Sequence, residues 1–264
     1  MTRTLVEPHI RVPLCSLCML CALGVSQVRA QSNPRAAMPE RPTVATHAFT
    51  VAPGYLELET GAERDANRDG TVAWSTPTVL KIGLASRAQA GLFASLVGPP
   101  GARTSIGDLA AGIKYRPADD LQIVGALGVL PIVKFPTGDD AHGTRTTDVS
   151  VIVISSHKFG DAALDVNVGY TRRSGDGSRA PKDATGWTVS GGLPLGGDAG
   201  LALEVFGYPR TTGAAGAPSS IALLGGPTWQ LGESTVIDAG VIVRLQGPQA
   251  NAVYAGVTRN LGRW

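Results

Sequence analysis

Few residues in this sequence have the type and spacing for chemistry. Asp139, Asp140 and His142 share the run GDDAHGT, and carboxylates crowded on a turn suit a hard cation such as calcium. A solvated loop has the same composition, so no metal is assigned there. His47 and His157 stand apart from any metal-ligand set. Ser174-Gly175 and Ser190-Gly191 place a hydroxyl beside a glycine, and His157 with Asp161 would be the partners of a nucleophile. Both serines lack the flanks of a nucleophile elbow. Gly196-Gly197 and Gly225-Gly226 have no helix after them to cradle a phosphate and read as turn or close-packed strand positions. The sequence therefore predicts no catalytic residue, no cofactor and no enzyme.

The polar residues that do form a pattern lie on alternating segments. In 147 to 171, Leu164, Val166, Val168 and Tyr170 fall on one side of a strand, with Asp165, Asn167 and Gly169 on the other. Elsewhere Leu56 and Leu58 oppose Glu57 and Glu59, Leu80 and Ile82 flank Lys81, and Leu109, Ala111 and Ile113 oppose Asp108 and Lys114. Leu203 and Val205 flank Glu204, and Ile237, Val241 and Val243 oppose Asp238 and Arg244. Charge keeps to one face, while no helical-period segment is available to cover the other. That is what a barrel in lipid needs, because hydrocarbon takes the apolar face and a lumen takes the polar one. Glu57, Glu59, Lys81, Asp108, Lys114, Asp165, Asn167, Glu204, Asp238 and Arg244 are accordingly expected to line a lumen of mixed sign with a weak net ion preference. Tyr55, Trp74, Tyr115, Tyr170, Trp187, Tyr208, Trp229, Tyr254 and Trp264 fall mostly near strand ends, where aromatic residues meet a membrane interface.

The elements that must position these residues are about twelve strands: 49 to 62, 72 to 85, 90 to 97, 105 to 116, 121 to 134, 147 to 156, 162 to 171, 185 to 194, 199 to 208, 219 to 230, 235 to 245 and 251 to 262. Long and short connections alternate between them, as in an up-and-down outer-membrane barrel with long external loops and short periplasmic turns. The architecture expected is all-β, an antiparallel up-and-down transmembrane barrel. The final strand has its apolar residues at odd positions, whereas Trp264 is even, so a bulge near Gly262 is needed to bring that aromatic into phase. Lys134 is expected near the membrane rim, snorkelling to water.

Before the barrel, Arg3 and Arg11 precede an apolar run from Val12 to Val25, and Val28-Arg29-Ala30 offers small residues at a cleavage site. Residues 1 to 30 read as a secretory signal peptide. All three cysteines lie within it, and Met19-Leu20 before Cys21 makes a poor lipobox. Cleavage removes Arg3, Arg11, Arg29 and Glu7, leaving basic and acidic residues equal in number and scattered, which gives no footprint for nucleic acid. Residues 31 to 48, with three prolines and no period, are expected to be a flexible periplasmic lead-in, and 49 to 264 the barrel.

In order along the chain, GDLAAGIKY (107 to 115), Leu130-Pro131, FPTG (135 to 138), NVGY (167 to 170), Trp187, EVFG (204 to 207) and DAG (238 to 240) resemble the outer-membrane proteins of the meta-pathway phenol-degradation family, often labelled transporters. The resemblance runs from about Gly54 to the C-terminus. It implies an outer-membrane barrel, in contact with lipid, associated with passage of small and often aromatic organic compounds, and it fixes neither a solute nor an oligomeric state. The competing expectation is an exported β-rich binding or structural protein that stays in the periplasm.

Overall fold

The computed structural model describes residues 33 to 264. The expected signal peptide lies outside them. The strands are β1 (Tyr55–Ala66), β2 (Val72–Ala85), β3 (Ala88–Gly98), β4 (Ser105–Ile106), β5 (Leu109–Leu121), β6 (Gly125–Phe135), β7 (Asp148–Phe159), β8 (Ala162–Arg173), β9 (Asp183–Gly196), β10 (Ala199–Tyr208), β11 (Ser220–Gln230), β12 (Thr235–Gln246) and β13 (Asn251–Arg263). All pairings are antiparallel between neighbours, and β1 pairs with both β2 and β13, so twelve strands close into a barrel with no free edge. The two-residue β4 pairs only with the loop end of β3. It was expected to run into β5, but Gly107 turns aside to donate to Ser95 O and Asp108 binds the following loop.

Period two decides which residues meet which solvent. On β7, Val149, Val151 and Val153 face outward and are exposed, while Ile154 and Ser156 face inward and are buried. The same alternation puts Leu92, Leu96, Ile113, Val168, Val241, Val243, Val253 and Leu261 on the outer surface, each about half exposed. An apolar belt of this extent around a closed barrel is stable against lipid and unstable against water. No described helix is long and apolar enough to cross a membrane, and the strands perform that task. Connections at one rim, such as 136 to 147, 174 to 182 and 209 to 219, are long. At the other rim 86 to 87, 160 to 161 and 197 to 198 are tight turns.

The bulge that Trp264 requires is present. Leu56 pairs with Gly262 and Glu57 with Asn260, so Leu261 is the extra residue, and Gly262 takes φ +100°, which side-chain-bearing residues rarely adopt. Past it Trp264 is exposed, and its amide donates to Gly54 O at 3.0 Å, closing the barrel seam beside the start of β1.

The first strand was expected from residue 49 and begins at Tyr55, because 49 to 54 belong to the lead-in, which is not a free tether. From residue 33 it runs inside the barrel. The apolar interior clusters show this directly: Ala48 packs among Ala126, Leu130 and Ile154 of the wall. A separate cluster of Phe206, Ala222, Leu224, Ile242, Ala252 and Tyr254 fills the side formed by β10 to β13.

If hydrocarbon contacts the outer face, Val153→Arg should destabilise the folded barrel in bilayers by about 2 to 4 kcal/mol, the cost of a mid-membrane arginine, whereas Ser150→Arg on the inward face should cost much less. Urea titration of the barrel refolded into liposomes compares the two.

Candidate functional site

A chain passing through a lumen has no neighbouring strand to take its backbone hydrogen bonds, so its peptide groups must find side chains. Inward residues from around the wall supply them. Glu57 accepts the amide of Met38 at 2.7 Å and Glu59 that of Glu40 at 2.8 Å. The two oxygens of Glu204 take the amides of Val44 and Ala45 at 2.7 and 2.8 Å. Asn167 accepts from Thr46 N at 2.7 Å and donates to Thr46 O at 2.9 Å, as a strand partner would. Ser156 accepts Ala48 N and Gln89 accepts Val51 N. At the turn end Asn260 donates to Pro34 O, and Ala37 N donates to Glu233 O.

Charge is paired as closely. Lys81, fully buried, lies 3.0 Å from Glu57 and 2.5 Å from Glu59, and donates to Met38 O at 2.8 Å. Lys114, also buried, pairs with Glu40 and donates to Thr46 Oγ1 and His47 O. Arg41 binds Asp238 through two nitrogens, at 3.2 and 3.3 Å. Buried charges are tolerable only when paired and hydrogen-bonded. Space for the segment comes from missing side chains: a Cβ on Gly61 or Gly256 would strike the Arg41 guanidinium, and one on Gly83 would strike the backbone of Ala52. Phe49 lies between two cations, with Arg116 5.3 Å and Lys158 5.0 Å from its ring centre.

Seven of the residues expected in the lumen, Glu57, Glu59, Lys81, Lys114, Asn167, Glu204 and Asp238, are buried inside the barrel, holding a polypeptide rather than facing open water. Asp165 also points inward and accepts from Ser156 Oγ at 2.5 Å. Asp108 and Arg244 keep the inward phase, of Lys114 and Ile242, but are bonded at the loop rim rather than to the segment. Asp108 precedes β5 and ties Lys134, Gly138 and Thr144 at the loop rim, and Arg244 donates to Gln249 O in the last connection. Lys134 does not snorkel, because it shares the inward phase of Leu130 and Ile132 and pairs with Asp108 at 2.6 Å and Asp148 at 3.5 Å. Sequence reasoning missed Glu40, Arg41, Gln89, Ser156 and Asn260. One signal was available: the ten expected lumen residues include six acids against three bases, an excess that Arg41 partly balances.

Of the aromatics, Trp74, Tyr170 and Trp187 face outward toward the loop rim and Tyr115, Trp229 and Trp264 toward the turn rim, forming two bands. Tyr55 and Tyr208 depart from the expected placement, sharing the inward phase of Glu57 and Phe206, and Tyr254 is buried in the interior cluster. Ser174 holds Thr147 N at the loop rim, and Ser190 faces inward on β9, whereas His157 lies on the outer face of β7 with Ser155 Oγ at 3.1 Å. The wall separates Ser190 from that histidine. Among the described residues no group of three or more His, Cys, Asp or Glu is arranged to hold a metal ion, and His142 has both ring nitrogens committed to protein partners.

A closed, edgeless barrel with an apolar exterior, two aromatic bands and a polar interior defines an outer-membrane β-barrel protein, here one filled by its own N-terminal segment. The chain belongs to the family described as "Putative MetA-pathway of phenol degradation", which matches residues 40–258 and so takes in the lead-in from Glu40 onward. No curated protein matches it by sequence. Among solved structures it is similar to an outer membrane channel from Pseudomonas putida F1, with 13% identity and a TM-score of 0.64, over 81% of this chain and 98% of that one. It is also similar to the NanC porin, with 12% identity and a TM-score of 0.55, over 78% of this chain and 100% of that one.

Breaking the Arg41–Asp238 pair on one side, with Arg41→Met or Asp238→Val, should loosen the segment by about 3 kcal/mol, because one charge stays buried and unpaired. Amide exchange of residues 38 to 51 should then quicken by about two orders of magnitude. Making both changes together should recover most of that protection.

Proposed function

We propose that the protein is a passive channel that admits small organic solutes across the outer membrane, closed at its turn side by residues 33 to 54. The observation that carries this reading is the way the segment is held. It is fastened by side-chain hydrogen bonds and ion pairs, such as Glu204 to Val44 and Ala45 and Arg41 to Asp238, and water can replace each of them. A segment meant only to fill a core would be fastened by apolar packing. Movement of it clears a route along the polar wall of β1, β2 and β5, beside the apolar surface of Phe206, Leu224 and Ile242. Tyr254 Oη and Thr188 Oγ1 are buried there without a protein partner, so a passing solute with a ring and a hydroxyl meets both apolar contact and polar groups. Likeness to the Pseudomonas putida channel supports the reading at the level of fold. The residues act by contact and exclusion, and no bond is made or broken.

In planar bilayers the wild-type protein should show low or rare conductance, and the full-length double variant Arg41→Ala/Glu204→Gln should conduct steadily and severalfold more. Protease accessibility of residues 33 to 48 reports separately whether the segment has moved. A variant with the segment displaced and conductance unchanged from wild type would defeat the proposal.

A further inference from the structure

The external connections are joined in series. Asp140 of 136 to 147 pairs with Arg179 of 174 to 182 at 2.8 Å, and Gly177 O of that second loop accepts Ala215 N from 209 to 219. The loop 99 to 108 is anchored to 136 to 147 at its base, where Asp108 takes the amides of Gly138 and Thr144 and Thr137 Oγ1 donates to Gly107 O, and its outer part, around Arg103, is joined by one side chain. His142 places Nδ1 2.5 Å from Asp139 Oδ1 and Nε2 2.7 Å from Arg103 O, with its side chain almost wholly buried. A carboxylate and a peptide carbonyl are both acceptors, and a neutral imidazole has only one N–H to donate. In the neutral ring one lone pair would face an acceptor oxygen at contact distance. Both bonds exist together only in the imidazolium.

We propose that His142 is a proton-operated clasp that fastens the outer segment 99 to 104, at Arg103, to the loop 136 to 147 when charged and releases it when neutral, while the base of that loop stays anchored by Asp108. The surrounding charges support this. From its own loop Asp139 is its direct partner, while Asp140 is engaged by Arg145 and Arg179. From the loop before β5, Asp108 is engaged by Lys134 of β6, and Arg103 contributes its carbonyl to the joint while its guanidinium opposes a second positive charge. Asp139 is thus the uncommitted anion. Its hydrogen bond, and then that of the Arg103 carbonyl, raise the His142 pKa above the ordinary histidine value, and the same bond lowers that of Asp139. A group whose folded-state pKa is raised contributes fully below its unfolded value and loses that contribution as the pH climbs through the raised one. The clasp is therefore complete in mildly acidic medium and opens toward alkaline pH. It stands independently of whether the barrel conducts.

The test is limited trypsin digestion of the purified full-length protein from about pH 6 to about pH 9, which brackets the ordinary histidine range. Cleavage after Arg103 is read as a ratio to cleavage after Arg210, in a loop without histidine, so that changes in the protease's own rate cancel. The ratio should rise by about threefold or more as the clasp opens, since proteolysis follows the open population. In His142→Gln, which presents an uncharged side chain at every pH, it should be high and flat. A flat ratio in the wild-type protein overturns the proposal, and so does a variant that keeps the wild-type pH profile. If the variant fails to fold, as judged by loss of heat-modifiable gel mobility, the wild-type profile decides alone.

Discussion

The structure depends on a mutual need between a wall and the chain inside it. Glu57, Glu59, Glu204 and Asp238 put carboxylates into an enclosed space, where an unpaired charge is costly. Residues 38 to 51 put backbone amides into the same space, where an unpaired N–H is costly. Each group removes the other's penalty. The side-chain lengths follow from this arrangement: Glu57, Glu59 and Gln89 extend from the wall to the segment, and shorter Ser156 serves where Ala48 comes close.

Glycine sets where that approach is allowed. Gly61 and Gly256 lie on neighbouring strands and together leave the space that the Arg41 guanidinium occupies beside Asp238. Gly83 does the same for the backbone as the segment leaves the lumen at Ala52 and turns at Gly54, with φ +78°, into β1. A barrel wall of small inward residues is weak as a packed core, and here the small residues are matched to a guest. The interior is consequently mixed, with polar groups of β1, β2, β8, β10, β12 and β13 holding the chain and an apolar cluster beside them on β10 to β13.

The external rim follows different rules from the lumen. There Asp108 gathers Lys134, Gly138 N and Thr144 N, and Asp148 gathers Arg173 and Thr146, so short polar side chains order long loops without a hydrophobic core. Burial opposes ionisation of Asp108, but its hydrogen bonds to Lys134 and to two amides outweigh that and hold its carboxyl below the usual range. Loops built this way respond to proton and salt concentration more readily than the strands, whose stability lies in lipid contact and in a ladder with no ends.

The alternation along β7, β8 and the other strands was legible because period two is a local property: a residue's face follows from its neighbours, whatever the strand pairs with. The same locality gave the bulge before Trp264, since a mismatch of phase within one segment has one local remedy. The inward residues could be named on those grounds, although what they touch could not. Residues 33 to 54 have no period, and four prolines among small residues look alike whether free in water or threaded through a pore. Tyr55 and Tyr208 share the inward phase of Glu57 and Phe206, so for an aromatic near a strand end it is the phase, not the position along the strand, that tells inside from outside. Lipid exposure and strand direction were therefore written into the chain itself, whereas the filling of the lumen came only from closure, which sets Arg41 and Glu40 against Asp238 and Lys114, partners far away in sequence and adjacent only once the last strand meets the first.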